Sequence, residues 1–352
     1  MTPKERYRSV LRGEKPDRLP LHVGNYSHFL SNYYGVSIEE YLDSPEVATA
    51  VTIKFISEFQ VDCNMVIGNS YIYYGCGPEL GVKWAFPKDQ VPASTEGFIK
   101  TREDVDRFIM PSSPSGYFEK FCDIIRKVNA ALGETVHLQS SLLGPFSIAC
   151  FIRGVQETLL DIYDDPDFYF YYMPLCVELS KYFGTHMYAT GLERPHFNEI
   201  FVVPEAVRPD KYHEFIAPFD QKVIDFFGPG KLNNTFSVFM GQPGNVKSQQ
   251  EARAVWNAFW GTGESLETLE EGVKHKIPGF PMFLTLSGRA LYSWTEKELL
   301  DFLNAGTDLL VRKYHVIPAI SLTSIQPDSK EKAQEMAAKI RRVNEFRDRY
   351  LL

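Results

Sequence analysis

The sequence predicts a TIM (β/α)8 barrel, and three observations support that fold class. Short apolar strands alternate with longer helical patterns along the chain, which is typical of parallel βαβ units. About seven or eight such strands can be counted, each with a helix. No change in composition marks a linker or an internal repeat. A doubly wound sheet is the alternative, but the G-x-G-x-x-G turn that it needs after its first strand is missing.

The chain of 352 residues is within the size that α/β barrels reach as one unit, so we predict a single domain over residues 1–352. The predicted strands occupy residues 19–24, 63–68, 135–141, 196–203, 235–245, 282–288 and 308–315. The segment 235–245, TFSVFMGQPGN, alternates in polarity before its Gly and Pro end the strand in a loop.

Capping signals and apolar periodicity predict the helices. Three of the predicted starts carry Ser or Thr three residues before Glu, as in a capping box. These pairs are Thr2 with Glu5, Ser37 with Glu40 and Thr295 with Glu298. The first pair begins an N-terminal helical extension, which ends at Gly13. Further helices are predicted at 45–60, 115–133, 144–190, 210–227, 249–260 and 328–350, and a β-hairpin insertion at 71–100.

Composition excludes several classes of protein. The chain has 37 basic and 45 acidic residues, a net charge of −8, and no long basic cluster, which argues against a nucleic-acid partner. No run of about 18 apolar residues could span a bilayer, and the N-terminus is charged rather than signal-like. We therefore expect a cytoplasmic protein without a membrane partner. Five scattered cysteines, none in a C-x-x-C pair, indicate reduced thiols and no zinc knuckle.

Three segments resemble the uroporphyrinogen decarboxylase superfamily. They are MTPKERYRSVLRGEKPDRLPLHVG at the N-terminus, LLGPFSIACFIRGVQETLLDIYDDPDF from Leu142, and RPDKYHEFIAPFDQKVIDF from Arg208. The G-P-F-[ST]-x-A run after a strand is fairly specific to that superfamily. The resemblance spans essentially the full length and is closer to the corrinoid-dependent methyltransferase branch than to the haem-pathway decarboxylases. It implies a TIM barrel with its site at the carboxyl ends of the strands.

The resemblance also implies methyl transfer from a small methylated donor, such as an aryl methyl ether, to a separate corrinoid protein. The corrinoid belongs to another polypeptide because no D-x-H-x-x-G signature occurs in this chain. Zinc-dependent members of the branch carry His-x-Cys before a Gly and a second Cys near the C-terminus. Here those positions hold Val238 and Met240, before Gly241, and Thr323. None is a zinc ligand, so the zinc-thiol chemistry does not carry over, and a zinc cofactor stays uncertain.

A decarboxylase is the third choice. The branch that decarboxylates tetrapyrroles clamps many carboxylates with arginines after the first strand and uses an aspartate after the second. The corresponding loops, HVGNYSHFLSNYYG and IGNSYIYYGCG, contain neither Arg nor Asp. A polyanionic substrate would find no bidentate partner there.

The two loops are instead aromatic and polar, which suits a flat, mostly apolar ligand with a few hydrogen-bonding groups. The predicted substrate-binding residues are Asn25, Tyr26, His28, Asn69, Tyr71, Tyr73 and Arg153. The alternative for the tyrosines is packing under an insertion loop. The alternative for Arg153 is an ion pair with Asp161 or Glu157 along a helix.

Acid, base and metal candidates stand at other strand ends. Glu199, Glu205 and His315 are the predicted catalytic residues, as general acids or bases. His196, Glu199 and His315 are the predicted ligands of a cysteine-free metal site. The alternative is structural: His196 caps the start of a strand, and Glu199 meets a lysine at the surface. Two function classes therefore stay open, a methyltransferase and a non-catalytic ligand-binding or regulatory barrel, and the oligomeric state is open too.

Overall fold

The computed structural model describes residues 1–24, 26–66, 75–88, 90–203, 206–228, 230–234, 265–274 and 282–350. The chain divides into two compact units. The first comprises Met1–Asn69, Lys127–Gln139 and Ala254–Leu352, and the second comprises Ser70–Arg126 and Ser140–Arg253. The prediction of one domain over the whole chain stays a prediction.

Ten strands and fifteen α-helices occur among the described residues. The strands are β1 (Leu21–Gly24), β2 (Cys63–Met65), β3 (Lys83–Ala85), β4 (Ala93–Glu96), β5 (His137–Gln139), β6 (Ser141–Leu143), β7 (His196–Asn198), β8 (Asn233–Asn234), β9 (Phe283–Ser287) and β10 (Ala319–Thr323). The helices are α1 (Pro3–Leu11), α2 (Ser27–Tyr34), α3 (Ile38–Asp43), α4 (Pro45–Glu58), α5 (Arg102–Arg107), α6 (Gly116–Leu132), α7 (Pro145–Ile152), α8 (Val155–Asp164), α9 (Pro166–Tyr188), α10 (Pro209–Lys211), α11 (Ala217–Phe227), α12 (Leu266–Lys274), α13 (Gly288–Ser293), α14 (Glu296–Asp308) and α15 (Lys330–Arg349).

The first unit contains a five-stranded parallel sheet in the order β5-β2-β1-β10-β9. Side chains alternate between its two faces because successive residues of a strand point in opposite directions. One face is apolar and is formed by Leu21, Val23, Leu284, Leu286, Ile320 and Leu322, all buried. Gly306 belongs to helix α14, and a Cβ there would lie 2.6 Å from Leu284 Cδ1. Helix α14 therefore packs directly on the apolar face of the sheet.

The opposite face carries polar residues and is called the polar face. Its central row runs across five strands and consists of Thr285, Ser321, His22, Cys63 and His137 in register. At the amino ends of the strands, Tyr7 of α1 packs with Cys63 and stacks on His137 with ring centroids 5.0 Å apart. The N-terminal helix therefore covers the amino end of the polar face.

Buried ion pairs tie the terminal helices of the first unit to its strands. Asp62, which precedes β2, accepts from the Leu21 backbone N–H at 2.8 Å and from Arg347 at 2.6 Å. It also pairs with Arg6 of α1. Asp62 and Arg347 are fully buried. Removal of one partner would leave a buried charge unpaired, so this cluster fixes α1 and α15 against β1 and β2.

The second unit contains a three-stranded parallel sheet in the order β6-β7-β8. Helix α9 lies against it because Gly184 has no side chain: a Cβ there would lie 2.9 Å from Leu142 Cδ2. Ser180 Oγ of the same helix donates to the Leu143 carbonyl at 2.8 Å. Strands β3 and β4 pair antiparallel, which confirms the hairpin predicted within 71–100.

Most of the predicted elements are found, and one strand is wrong. The run 308–315 is not a strand, because α14 extends to Asp308 and continues as a π-helical turn over Leu309–Lys313. The strand lies later, at Ala319–Thr323. The prediction at 135–141 also merged two strands that belong to different sheets, β5 and β6. The strand predicted at 235–245 and the helix at 249–260 lie outside the described residues.

The five cysteines are buried and unpaired with one another. Burial raises the pKa of each thiol: Cys63, Cys76, Cys122, Cys150 and Cys176. Within the described parts of the chain, no helix combines the length and apolar character that crossing a membrane requires.

Candidate functional site

The carboxyl ends of the five parallel strands present uncharged residues on the polar face. Thr323, at the end of β10, is in register with Gly24 on one side and Ser287 on the other. Met65 of β2 pairs with Gln139 of β5 at the same end. None of these five residues is charged, so this end of the sheet is neutral and capable of hydrogen bonding.

Three side chains of the central row lie two residues before the carboxyl ends of their strands. His22 is in register with Ser321, and Ser321 with Thr285. His22 Nδ1 lies 3.0 Å from Ser321 Oγ, a hydrogen-bond distance. The imidazole also packs against the Phe283 ring, with ring centroids 5.0 Å apart and the ring planes tilted by 36°. The row therefore holds the His22 ring in a fixed orientation below the carboxyl end.

Thr285 completes this row but differs from its neighbours. Its side chain is only 3% exposed, and Oγ1 has no hydrogen-bond partner among the described residues. A buried hydroxyl without a partner costs roughly 1–3 kcal/mol, and buried polar atoms are mostly paired. The unpaired hydroxyl marks the row as a place where a ligand group could bind.

In the second unit, the carboxylate of Glu199 caps the start of α7. Oε1 accepts from the Phe146 backbone N–H at 3.0 Å, and Oε2 accepts from the Ser147 backbone N–H at 2.7 Å and from Ser147 Oγ at 2.5 Å. A helix N-terminus favours a negative charge, and these donors would otherwise be unpaired. A Cβ at Gly144 would lie 2.1 Å from Glu199 Oε1, so the Gly-Pro-Phe-Ser turn needs its glycine.

Asp220 of α11 lies beside this carboxylate. Both groups are buried, and burial raises the pKa of Glu199, while burial and the nearby Glu199 charge raise the pKa of Asp220 well above its usual range. Tyr212 donates its hydroxyl to Asp220 Oδ2 at 2.8 Å. Since Glu199 receives three donors, we assign the negative charge to Glu199 and the proton to Asp220.

The family model for uroporphyrinogen decarboxylase (URO-D) matches residues 2–246, a range that contains the Gly-Pro-Phe-Ser turn and Glu199. The chain belongs to this family. A solved structure described as a methyltransferase from Methanosarcina mazei is similar over 98% of this chain and 99% of that chain, with a TM-score of 0.72 and 13% identity. This likeness shows an α/β fold with a central parallel sheet, in agreement with the predicted TIM barrel. The chain has no match among curated protein sequences.

In this URO-D chain, Glu199 therefore has a structural role. The sequence predicted a catalytic acid or base, or else a surface residue beside a lysine. The side chain is 0% exposed, so the surface position beside a lysine is wrong. Its hydrogen bonds to the start of α7 account for its burial, and the catalytic role stays a prediction.

The two predicted histidine ligands, His196 and His315, do not form a metal site with Glu199 among the described residues. His196 opens β7, beside Ser141, and burial lowers the pKa of its imidazole to about 4. His315 is exposed and lies four residues before β10, at the amino end of that strand. A site in this fold is expected at the carboxyl ends. Within the described ranges, no three His, Cys, Asp or Glu side chains form a metal-binding group, so His196, Glu199 and His315 are not brought together as one.

Arg153 follows the structural alternative. Its Nε donates to Asp161 Oδ2 at 2.9 Å, and a second guanidinium nitrogen donates to Asp161 Oδ1 at 3.2 Å. The ring of Phe168 stacks on the guanidinium at 5.2 Å. Arg153 also lines a groove of about 250 Å³ with Lys100 of the same unit. Because Asp161 pairs with one edge of the guanidinium and the remaining terminal nitrogen donates to the Ile99 carbonyl at 3.4 Å, little of the Arg153 charge is available to an anion.

Tyr26 and His28 occupy the loop and helix after β1. Tyr26 is buried and stacks on Phe55 with ring centroids 4.6 Å apart. Its hydroxyl donates to Asn64 Oδ1 at 2.7 Å, and Asn64 is in register with Val23 of the apolar face. Tyr26 is a packing residue, as the structural alternative proposed. His28 is half-buried on α2, and burial lowers the pKa of its imidazole. The remaining predicted residues, Asn25, Asn69, Tyr71, Tyr73 and Glu205, and the family positions Val238 and Met240, lie outside the described residues.

Sequence reasoning missed the Thr285–Ser321–His22 row, although a signal was present. The strands LHVG, FLTLS and AISLT each place a polar residue between apolar ones. In a barrel whose strands are covered by helices, continuous apolar runs are expected, so a polar residue at every second position is informative. Three strands that share this pattern indicate a polar layer on one face.

Proposed function

We propose that this URO-D chain is a methyltransferase that takes a methyl group from a small neutral donor, such as an aryl methyl ether, and passes it to a corrinoid on a separate protein. The neutral, hydrogen-bonding carboxyl end of the five-stranded sheet carries the proposal. There Gly24, Thr323 and Ser287 lie side by side above the His22 row. The solved structure described as a methyltransferase shares the fold, which supports the reaction class without identifying the donor.

The residues present do not fit the zinc of related methyltransferases. Two of the family ligand positions hold Val238 and Met240, and the third holds Thr323, whose neighbours in register are Gly24 and Ser287. A thiolate or imidazole is needed for a stable zinc site of that kind, and a threonine hydroxyl is a poor substitute. No step of the proposed reaction therefore passes through zinc.

The corrinoid is a substrate of the proposed reaction. The C–O bond of the ether breaks, the methyl group forms a bond to Co(I) with the cobalt electron pair, and the ether oxygen leaves with the C–O pair and gains a proton. The products are a phenol and methyl–Co(III). This chain would bind the ether, orient its methyl group and hydrogen-bond the departing oxygen, which gains negative charge in the transition state.

Methyl transfer from labelled guaiacol to free cob(I)alamin tests the proposal. Guaiacol carrying a trideuterated methyl group is incubated with the protein and cob(I)alamin under a reductant, and catechol and labelled methylcobalamin are measured by mass spectrometry. We expect both products in equal amounts and none without protein. Failure with guaiacol and with neutral alkyl methyl ethers, in protein shown to bind them, would contradict the proposal.

A non-catalytic ligand-binding barrel is the second candidate. The replacement of the zinc-ligand positions by Val238, Met240 and Thr323 favours it, as does the structural use of Glu199. The same experiment separates the two functions, because a binding protein would retain guaiacol without forming catechol.

A further inference from the structure

The polar face contains one hydroxyl for which the fold supplies no partner. Thr285 Oγ1 is buried and unbonded among the described residues, on a strand whose neighbours at the same level are Ser321 and His22. Valine has nearly the shape of threonine and is common in strands, so the fold by itself would favour valine here. A hydroxyl kept at such a position needs another partner.

We infer that Thr285, Ser321 and His22 form the hydrogen-bonding side of a ligand site in which the Thr285 hydroxyl donates to an oxygen of a neutral ligand. The inference deepens the proposed function, and rests on it only for the ligand class, a methyl ether. Thr285 anchors the oxygen, and the His22–Ser321 hydrogen bond of 3.0 Å fixes the adjoining imidazole. Ser321 and His22 are thus positioning residues beside the anchor.

Space beside the row is left by Gly24. A Cβ at Gly24 would lie 3.5 Å from His22 Cε1 and 3.7 Å from Met65 Cβ, which are ordinary van der Waals distances. An added Cβ therefore fits at the carboxyl end without displacing either side chain. Because Gly24 lacks this carbon, it does not cover the edge of the imidazole or the thioether of Met65, and both suit contact with an apolar methyl group.

The charge of the face selects a neutral ligand. None of the described residues that the five strands place on the polar face is Asp, Glu, Lys or Arg. A charged ligand would lose its hydration there and would find no Asp, Glu, Lys or Arg on these strands, where the titratable groups are the imidazoles of His22 and His137 and the thiol of Cys63. A neutral ether loses little hydration and gains one hydrogen bond.

Calorimetric binding of guaiacol without any corrinoid tests the inference, with 4-methoxybenzoate as the charged comparison. We expect guaiacol to bind and 4-methoxybenzoate to bind at least tenfold more weakly. Thr285→Val removes the donor but keeps the shape, and we expect guaiacol affinity to fall about tenfold, the value of one net hydrogen bond. Gly24→Ala fills the space and should also weaken binding about tenfold.

Thr307→Val is the matched control. Thr307 is also fully buried, and its Oγ1 also lacks a partner among the described residues, but it lies on helix α14 rather than on the polar face. We expect this variant to bind guaiacol like the unsubstituted protein. Equal binding by Thr285→Val, or equal loss in Thr307→Val, would overturn the inference.

The outcomes also separate this inference from the proposed function. Guaiacol binding that depends on Thr285 without methyl transfer would support the site and contradict the methyltransferase. Methyl transfer that is unchanged in Thr285→Val, in both rate and KM, would support the reaction and contradict the site. Tight binding of 4-methoxybenzoate would contradict the neutral ligand class.

Discussion

Glu199 and Thr285 are both buried polar residues associated with parallel strands, yet their surroundings differ. Three donors converge on the Glu199 carboxylate at 2.5–3.0 Å, from one turn of helix. The Thr285 hydroxyl has no donor or acceptor among the described residues. The Glu199 carboxylate therefore has its hydrogen-bond partners, whereas the Thr285 hydroxyl has none among the described residues.

This contrast shows that burial alone does not identify a functional residue. A buried carboxylate with raised pKa is a common sign of an active site. Here, however, the contacts of Glu199 explain both its burial and its charge. The less conspicuous Thr285 is the residue of the polar face whose buried hydroxyl has no partner among the described residues. Counting hydrogen-bond partners separates the two cases where residue type does not.

The largest expected effect comes from removing the Glu199 carboxylate. Glu199→Ala leaves two backbone donors and the Ser147 hydroxyl buried without an acceptor. We expect the free energy of unfolding to fall by about 3–5 kcal/mol, measured by urea denaturation. Glu178→Ala, at an exposed glutamate paired with Lys181, is the control and should change stability by less than about 0.5 kcal/mol. A comparably small loss for Glu199→Ala would contradict the structural role.

The next effect concerns Asp220 and depends on pH. Its pKa is raised in the folded protein, so the folded state binds more protons than the unfolded state above the ordinary carboxyl pKa. Stability from this group is therefore present at low pH and lost as pH rises towards the folded pKa. Each proton gives a slope of at most about 1.4 kcal/mol per pH unit.

Asp220→Asn should flatten this dependence, because an amide can donate to Glu199 and accept from Tyr212 as the protonated acid does. We expect the variant to gain stability relative to the unsubstituted protein as pH increases, in urea titrations from pH 5 to about 8. Parallel stability curves for the two proteins would show that Asp220 is not protonated in the native state.

A smaller effect of opposite sign is expected at Thr285. In the absence of ligand, Thr285→Val removes an unbonded hydroxyl and should raise the free energy of unfolding by up to about 1 kcal/mol. Ser321→Ala should instead lower it by about 1 kcal/mol, because His22 loses a hydrogen bond. Urea denaturation measures both. Destabilisation by Thr285→Val would mean that the hydroxyl already has a partner in the native protein.

The smallest effect is expected at His315. The side chain is exposed at the amino end of β10, although its φ of +53° places the backbone in the left-handed region. His315→Asn keeps a residue type that tolerates this conformation. We expect no measurable change in stability or in guaiacol binding. A loss of binding would restore His315 as a site residue and show that the site extends beyond the polar face.

Local signals in the sequence predicted local structure well. The capping boxes at Thr2 and Thr295 are present as predicted, because each involves residues three positions apart. The run at 308–315 failed because its apolar and aromatic residues suit a strand as well as a buried turn, and only packing decides. Glu199 could not be understood from sequence, because its partners lie more than 50 residues earlier: Phe146 by 53 and Ser147 by 52.

The buried thiols also make unfolding chemically visible. Thiolates are the reactive form, so inaccessible thiols with raised pKa values should resist alkylation until the surrounding structure opens. Cys63 lies in the first unit, and Cys76, Cys122, Cys150 and Cys176 lie in the second. Pulsed alkylation followed by peptide mapping would therefore measure the opening rate of each unit separately, from the rate at which each cysteine becomes alkylated.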